Sequence, residues 1–308
     1  MRRRGAIPGL AVALLAAAAH AQAPGGPFRD CPTCPELVVV PAGTFTMGST
    51  PAETAAAALP DEQAQREYPA HRVVIARPFA IGRSELTVGE YAVFADATGR
   101  PPSAACITWD AAMTRWGPVA DATWRAPGYP QTGRHPVGCL TLDDARAYVD
   151  WLSARTGQRY RIPSEAEWEY VARLGQRAAS GNICAAANVS DLTRAEAHGG
   201  DAADATRFFP CRDGHVYAAP VGSYPADALG LYDVIGNVWE WAADCFVPDY
   251  GGAPADGSAR ADRGCERRVV RGGGWYSRTW FARAAGRSRE APDYRSSTLG
   301  LRVVREVP

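Results

Sequence analysis

The stretch Leu231-Tyr232-Asp233-Val234-Ile235-Gly236-Asn237-Val238-Trp239-Glu240-Trp241, LYDVIGNVWEW, sets apolar and aromatic residues around two carboxylates and one glycine. Gly236 permits a tight turn. Asp233 and Glu240 then either cap free backbone groups or help neutralise a divalent cation. The residues alone leave both readings open.

Outside this turn, composition narrows the function classes. The 308-residue chain balances 33 basic against 33 acidic residues, and its basic side is entirely arginine. A balanced charge predicts no nucleic-acid or membrane partner. The absence of lysine excludes a phosphate-loop lysine, a Schiff base and a lysine general base. Arg2 to Arg4, the apolar run Leu10 to Ala19 and the small-x-small site Ala19-His20-Ala21 predict a signal peptide over residues 1–21. The expected mature chain is exported, periplasmic or secreted, with no membrane attachment after cleavage. Nothing in the sequence signals an oligomeric state.

Eight cysteines, an even number, predict disulfides in an exported protein. Order and local spacing suggest Cys31–Cys34, Cys106–Cys139, Cys184–Cys211 and Cys245–Cys265, although sequence alone leaves the pairing open. The Cys31-Pro32-Thr33-Cys34 start could be a redox pair or half of a zinc site. Its flanking prolines and the lack of a second such pair favour a structural bridge.

A Pro/Gly-rich extension over 22–36 leads into a single domain over 37–308. Strands are predicted at Leu37–Val40, Thr44–Met47, Arg72–Ala76, Phe79–Arg83, Arg268–Val270 and Gly300–Arg305. Thr50–Pro69 reads as a polar loop. Three helices follow caps at Thr87, Thr141 and Ser164, each with an acidic residue three positions on. From Ala178 to Gly257 the chain reads as irregular, pinned by disulfides or ions. Close to the C-terminus, Val270–Arg283, VRGGGWYSRTWFAR, is rich in arginine and aromatics but has no Cys, His, Asp or Glu.

Seven segments in order resemble the formylglycine-generating enzyme, or sulfatase-modifying factor, family: FTMGS (from Phe45), LTVGEYAVF (from Leu86), HPVGCLTLDDARAYVDWLS (from His135), YRIPSEAEWEYVAR (from Tyr160), APVGSYPADALGLYDVIGNVWEW (from Ala219), VVRGGGWY (from Val269) and GLRVVR (from Gly300). The resemblance spans about residues 36–306. It implies an α+β, complex C-type-lectin-like fold, disulfide-bonded and low in regular secondary structure.

It also implies two calcium sites. One takes side-chain oxygens from Asp233 and Glu240 and carbonyls from Gly236 and Val238. The other takes side chains of Asn188 and Asp213 and carbonyls of Val189 and His215. Asn188-Val189-Ser190 is at the same time a glycosylation sequon. The family's two copper-binding thiols fall at Ser277 and Ala282, neither of which supplies a thiolate. Copper-dependent formylglycine formation is therefore not expected. An iron-binding His cluster, as in the related sulfoxide synthases, is absent from the four scattered histidines after residue 21. Export and thiol loss match a branch that matures the peptide siderophore pyoverdine.

Two readings follow. One is an oxidoreductase or maturation factor acting on a peptide or peptide-derived product. Its candidate residues are Ser277, Arg278, Arg283 and Arg287, with Trp239, Trp275 and Trp280 as groove walls; Arg283 and Arg287 could instead pair structurally. The alternative is a non-catalytic, calcium-stabilised module that binds a peptide, glycan or protein. A His or carboxylate with a perturbed pKa beside Ser277 discriminates in favour of the enzyme.

Overall fold

The computed structural model describes residues 26–307, apart from 104, 111, 113, 114, 177–181, 262 and 263. The predicted signal peptide lies outside the described residues. In chain order the strands are β1 (Leu37–Val40), β2 (Gly43–Met47), β3 (His71–Ile75), β4 (Phe79–Gly82), β5 (Cys106–Trp109), β6 (Trp116–Val119), β7 (Tyr160–Arg161), β8 (Trp239–Cys245), β9 (Arg268–Arg271), β10 (Arg287–Glu290), β11 (Leu299–Gly300) and β12 (Val304–Glu306). The helices are α1 (Pro51–Ala56), α2 (Asp61–Gln65), α3 (Val88–Thr98), α4 (Leu142–Thr156), α5 (Glu165–Gly175) and α6 (Leu192–His198).

Three capping boxes start the long helices. The backbone N–H groups of Glu90, Asp144 and Glu167 donate to Thr87, Thr141 and Ser164 at 3.2, 3.0 and 3.0 Å, satisfying donors that a helix start leaves free. Gly99 and Gly157, at φ of 65° and 70°, stop α3 and α4 in the left-handed region. Helix α5 runs through Gly175.

Two four-stranded sheets carry the core, in the orders β1-β4-β12-β7 and β10-β9-β8-β11. The predicted single strand Gly300–Arg305 is two strands, because the chain leaves one sheet at Gly300 and joins the other at Val304. Between them Leu301, Arg302 and Val303 are buried. The Arg302 guanidinium donates to Glu240 Oε1 on β8 at 2.9 Å and to the Gly82 carbonyl on β4 at 2.9 Å. One side chain thus ties both sheets, and a continuous strand could not present it to both. Helices α3 and α4 bury Tyr91, Phe94 and Tyr148 in one cluster, and α5 buries Trp168 and Tyr170 in another.

Two expected irregular regions hold regular structure. Thr50–Pro69 contains α1 and α2; Thr50 and Glu53 form a further capping box, with Pro51 at the first position. The region 178–257 contains α6, capped by Asp191, and β8, which lies between β9 and β11. The hairpin β5–β6 was also unanticipated. All eight cysteines are paired, as Cys31–Cys34, Cys106–Cys139, Cys184–Cys211 and Cys245–Cys265. Among the described residues no helix is long and apolar enough to cross a membrane.

Candidate active site

The segment after β9 turns at Gly272 and Gly273, whose φ values of 98° and 72° are left-handed and suit glycine. Ser277 Oγ accepts the Gly274 N–H at 2.8 Å, closing the turn. A short 3₁₀ turn, Thr279–Phe281, then separates Ser277 from Ala282. Both ends of this segment are held from below. Arg271, fully buried, donates to Glu165 at 3.1 Å, to Glu169 at 2.6 Å and to the Ala284 carbonyl at 2.7 Å.

A cleft of about 240 Å³ opens above the sheet, with Ser277 in its lining. Strand alternation fills it: β8 contributes Trp239, β9 Val270, and β10 Ser288 and Glu290. Trp116, Tyr276, Phe281 and Tyr294 complete its aromatic walls, and Arg278 stands at its edge. Trp239 meets Phe281 edge-on, with centroids 5.1 Å apart.

Of the sequence-derived candidates, Ser277, Arg278 and Trp239 line this cleft and the others do not. Arg287 is 2% exposed. It grips Glu165 with two hydrogen bonds, Nε to Oε1 at 2.7 Å and Nη2 to Oε2 at 2.9 Å. Arg283 pairs with the buried Glu67. Trp275 is fully buried, packed edge-on against Trp116 and Tyr129. Trp280 stacks under the Arg278 guanidinium at 5.3 Å, beside the cleft.

Glu290 was not foreseen. Burial pushes its carboxyl up to about 7, although Arg267 and Arg289 pull it down. It accepts no hydrogen bond from the described residues, so its oxygens are free for a ligand. Tyr294, in the same cleft, is raised to about 12 by burial and by Glu290. The only signal in the sequence is the alternation Arg287-Ser288-Arg289-Glu290, which sends Ser288 and Glu290 to one face of β10. No thiol reaches this cleft, since every cysteine is in a disulfide.

The residues of the two expected calcium sets lie on adjoining turns. In the first, Asp233 Oδ2 accepts the Gly222 N–H at 2.7 Å, while Oδ1 is buried without a partner. Burial raises its carboxyl to about 6. Glu240 is already engaged: Oε2 accepts from Trp168 Nε1 at 2.7 Å and Oε1 from Arg302. The guanidinium of Arg302 faces three buried carboxylates, Glu240, Glu85 and Asp233. In the second set, Asp213 accepts the N–H groups of Val189 and His215 at 2.7 and 2.8 Å, which brings the set together. Burial pushes Asp213 up to about 7. Asn188 Oδ1 is buried and unpartnered. Because Asn188 is fully buried, the sequon there is closed to a glycan. Asn188 O accepts the Asn237 N–H at 2.7 Å, joining the two turns. Among the described residues no group of three or more His, Cys, Asp or Glu side chains is placed to hold a metal ion by itself, so a cation at either set would draw on backbone carbonyls.

Comparison with known proteins gives one consistent result. The family described as sulfatase-modifying factor enzyme 1-like domain matches residues 25–307. The formylglycine-generating enzyme of Streptomyces coelicolor is 32% identical, over 96% of this chain and 97% of that protein. The mouse protein called inactive C-alpha-formylglycine-generating enzyme 2 is 29% identical, over 87% of this chain and 85% of its own. Among solved structures, PvdO from Pseudomonas aeruginosa superposes with a TM-score of 0.76 at 36% identity, covering 93% of this chain and all of PvdO.

Proposed function

The chain belongs to the sulfatase-modifying factor, or formylglycine-generating enzyme, family, and from that premise we propose an exported enzyme that replaces copper–thiolate oxidation with acid–base chemistry at the Ser277 cleft. Its substrate class is a peptide or peptide-derived natural product, and its role is maturation of that product. The observation that carries the reading is Glu290. A carboxyl poised near 7, half-buried and free of hydrogen bonds, meets the requirement for proton transfer at neutral pH. Ser277 offers a hydroxyl in the same cleft, and the aromatic walls offer stacking surface for an unsaturated group. The resemblance places the family's two thiols at Ser277 and Ala282, which leaves the redox step no ligand pair. Four disulfides support an oxidising compartment and hence export.

Structural calcium belongs to the same proposal. The unpartnered oxygens of Asp233 and Asn188, one in each set, are what an oxygen-seeking cation would satisfy. Asp233, Glu240 and the carbonyls of Gly236 and Val238 would hold one ion. Asn188, Asp213 and the carbonyls of Val189 and His215 would hold the other. Bound there, calcium would neutralise buried carboxylate charge that Arg302 alone leaves uncompensated.

The test is a screen of the purified protein against peptides, siderophore precursors and glycans, followed over pH. A general base acts when ionised, so turnover should rise with pH through a midpoint near 7, the value to which Glu290 is raised. The Glu290→Gln variant should lose at least tenfold in rate. Saturable binding with no turnover would instead assign the chain to the non-catalytic binding reading.

A further inference from the structure

Strand β10 is the edge of its sheet. Its alternation sends Ser288 and Glu290 to the Ser277 cleft and Arg287 and Arg289 to the opposite face. On that opposite face lies a second cleft of about 620 Å³, lined by Arg66, Arg267 and Arg289 around Phe246.

We propose that this second cleft is a binding site for an oxyanion, a phosphate or carboxylate group of a ligand or of the substrate's distal end. The guanidiniums of Arg267 and Arg289 line it and make no hydrogen bond or ion pair with any described residue, and that of Arg66, engaged by Glu62 and Gln63, lies beside them. Of the two acidic residues that line it, Glu62 is occupied by Arg66, and Glu266 is exposed. Burial, followed by the like charges of Arg66 and Arg267, holds the Arg289 guanidinium below its usual range, against a smaller opposing pull from Glu62 and Glu290. An anion would relieve that mutual repulsion, and guanidinium forks match oxyanion geometry.

The cleft is built rather than incidental. The buried Arg287 donates to the carbonyls of Arg66 and Val247 at 2.8 and 3.3 Å, which fixes two walls relative to each other. The Phe246 N–H donates to the Arg267 carbonyl at 2.9 Å, and the disulfide Cys245–Cys265 closes the same corner. Arg289 stacks on the Phe246 ring at 4.9 Å, so its guanidinium is aimed and not free to sweep through solvent. Arg267 and Arg289 are also the charges that pull Glu290 down from across the strand. An anion bound to them would weaken that pull and shift the Glu290 titration upward, linking the two clefts.

The experiment measures binding of inorganic phosphate, pyrophosphate and acetate by calorimetry at constant ionic strength, set with chloride, on the purified protein dialysed free of excess divalent cation. Wild type should bind phosphate saturably, and Arg267→Ala combined with Arg289→Ala should weaken it at least tenfold. Arg267→Ala alone, at an exposed side chain, should weaken it without loss of thermal stability, which separates site loss from misfolding. Phosphate binding tenfold tighter than acetate would assign the site to phosphate groups, and equal binding would assign it to oxyanions generally. A second readout is the Glu290 carboxyl resonance, whose titration midpoint should rise when phosphate is added. No saturable binding above chloride, or equal binding by wild type and the double variant, overturns the proposal.

Discussion

Arg271, Arg287 and Arg302 show what an all-arginine basic complement does inside this fold. Each is buried, and each meets a buried glutamate through its planar fork. Removing one partner leaves the other charge buried and under-compensated, as Glu165 would be with Arg271 alone at 3.1 Å, which costs far more than losing an exposed pair. We therefore expect Arg287→Ala to lower unfolding stability by about 3–5 kcal/mol in urea melts near pH 7. Arg125→Ala, which breaks the exposed pair with Asp96, should cost under about 1 kcal/mol. A loss of similar size in both variants would contradict this account of the buried arginines. At the same scale, sequence could place Ser277 beside the glycine turn, because a motif fixes that spacing. It raised structural pairing for Arg283 and Arg287, which do pair with Glu67 and Glu165 while Arg278 lines the cleft, but it could not name those partners. Their acidic partners lie far away in the chain. Glu290 escaped notice for the same reason. In sequence it is one more charge beside arginines, and only its place on an edge strand over an aromatic cleft raises its carboxyl.

Among elements, legibility follows range. The helices α3, α4 and α5 were readable because each capping box closes within four residues. The pairing of the cysteines was suggested by local order, and the longest loop they close spans only 33 residues. Strand β8 was missed although it is central in its sheet. Its sequence, WEWAADC, sits in a Gly-, Pro- and Asp-rich region, and its identity as a strand comes from β9 and β11, which lie further along the chain. The break between β11 and β12 was also invisible, because alternation continues through Arg302 while that side chain bridges two sheets. Helix α1 carries a readable box at Thr50 and Glu53, but the run PAETAA has no apolar period to support it.

For the whole molecule, the seven-segment resemblance and the family match agree over nearly the full described chain, and the proposed function rests on Ser277 and Ala282 standing where the resemblance places the family's thiols. The second calcium set joins two separate turns, 188–189 and 213–215, so an ion there would act as a cross-link present only in the folded state. Chelation of calcium should lower the melting temperature, and stoichiometric calcium should restore it, as binding to the native state alone requires. An unchanged melting temperature in calcium-free protein would remove calcium from the account. The central claim is that the scaffold remains while copper–thiolate chemistry has gone. The most direct measurement incubates the purified protein with copper, oxygen, a reductant and a cysteine-containing sulfatase peptide, and follows aldehyde formation by mass spectrometry. No conversion of cysteine to formylglycine above a protein-free control is expected. Copper-dependent turnover, despite Ser277 and Ala282 and with all eight cysteines in disulfides, would contradict it.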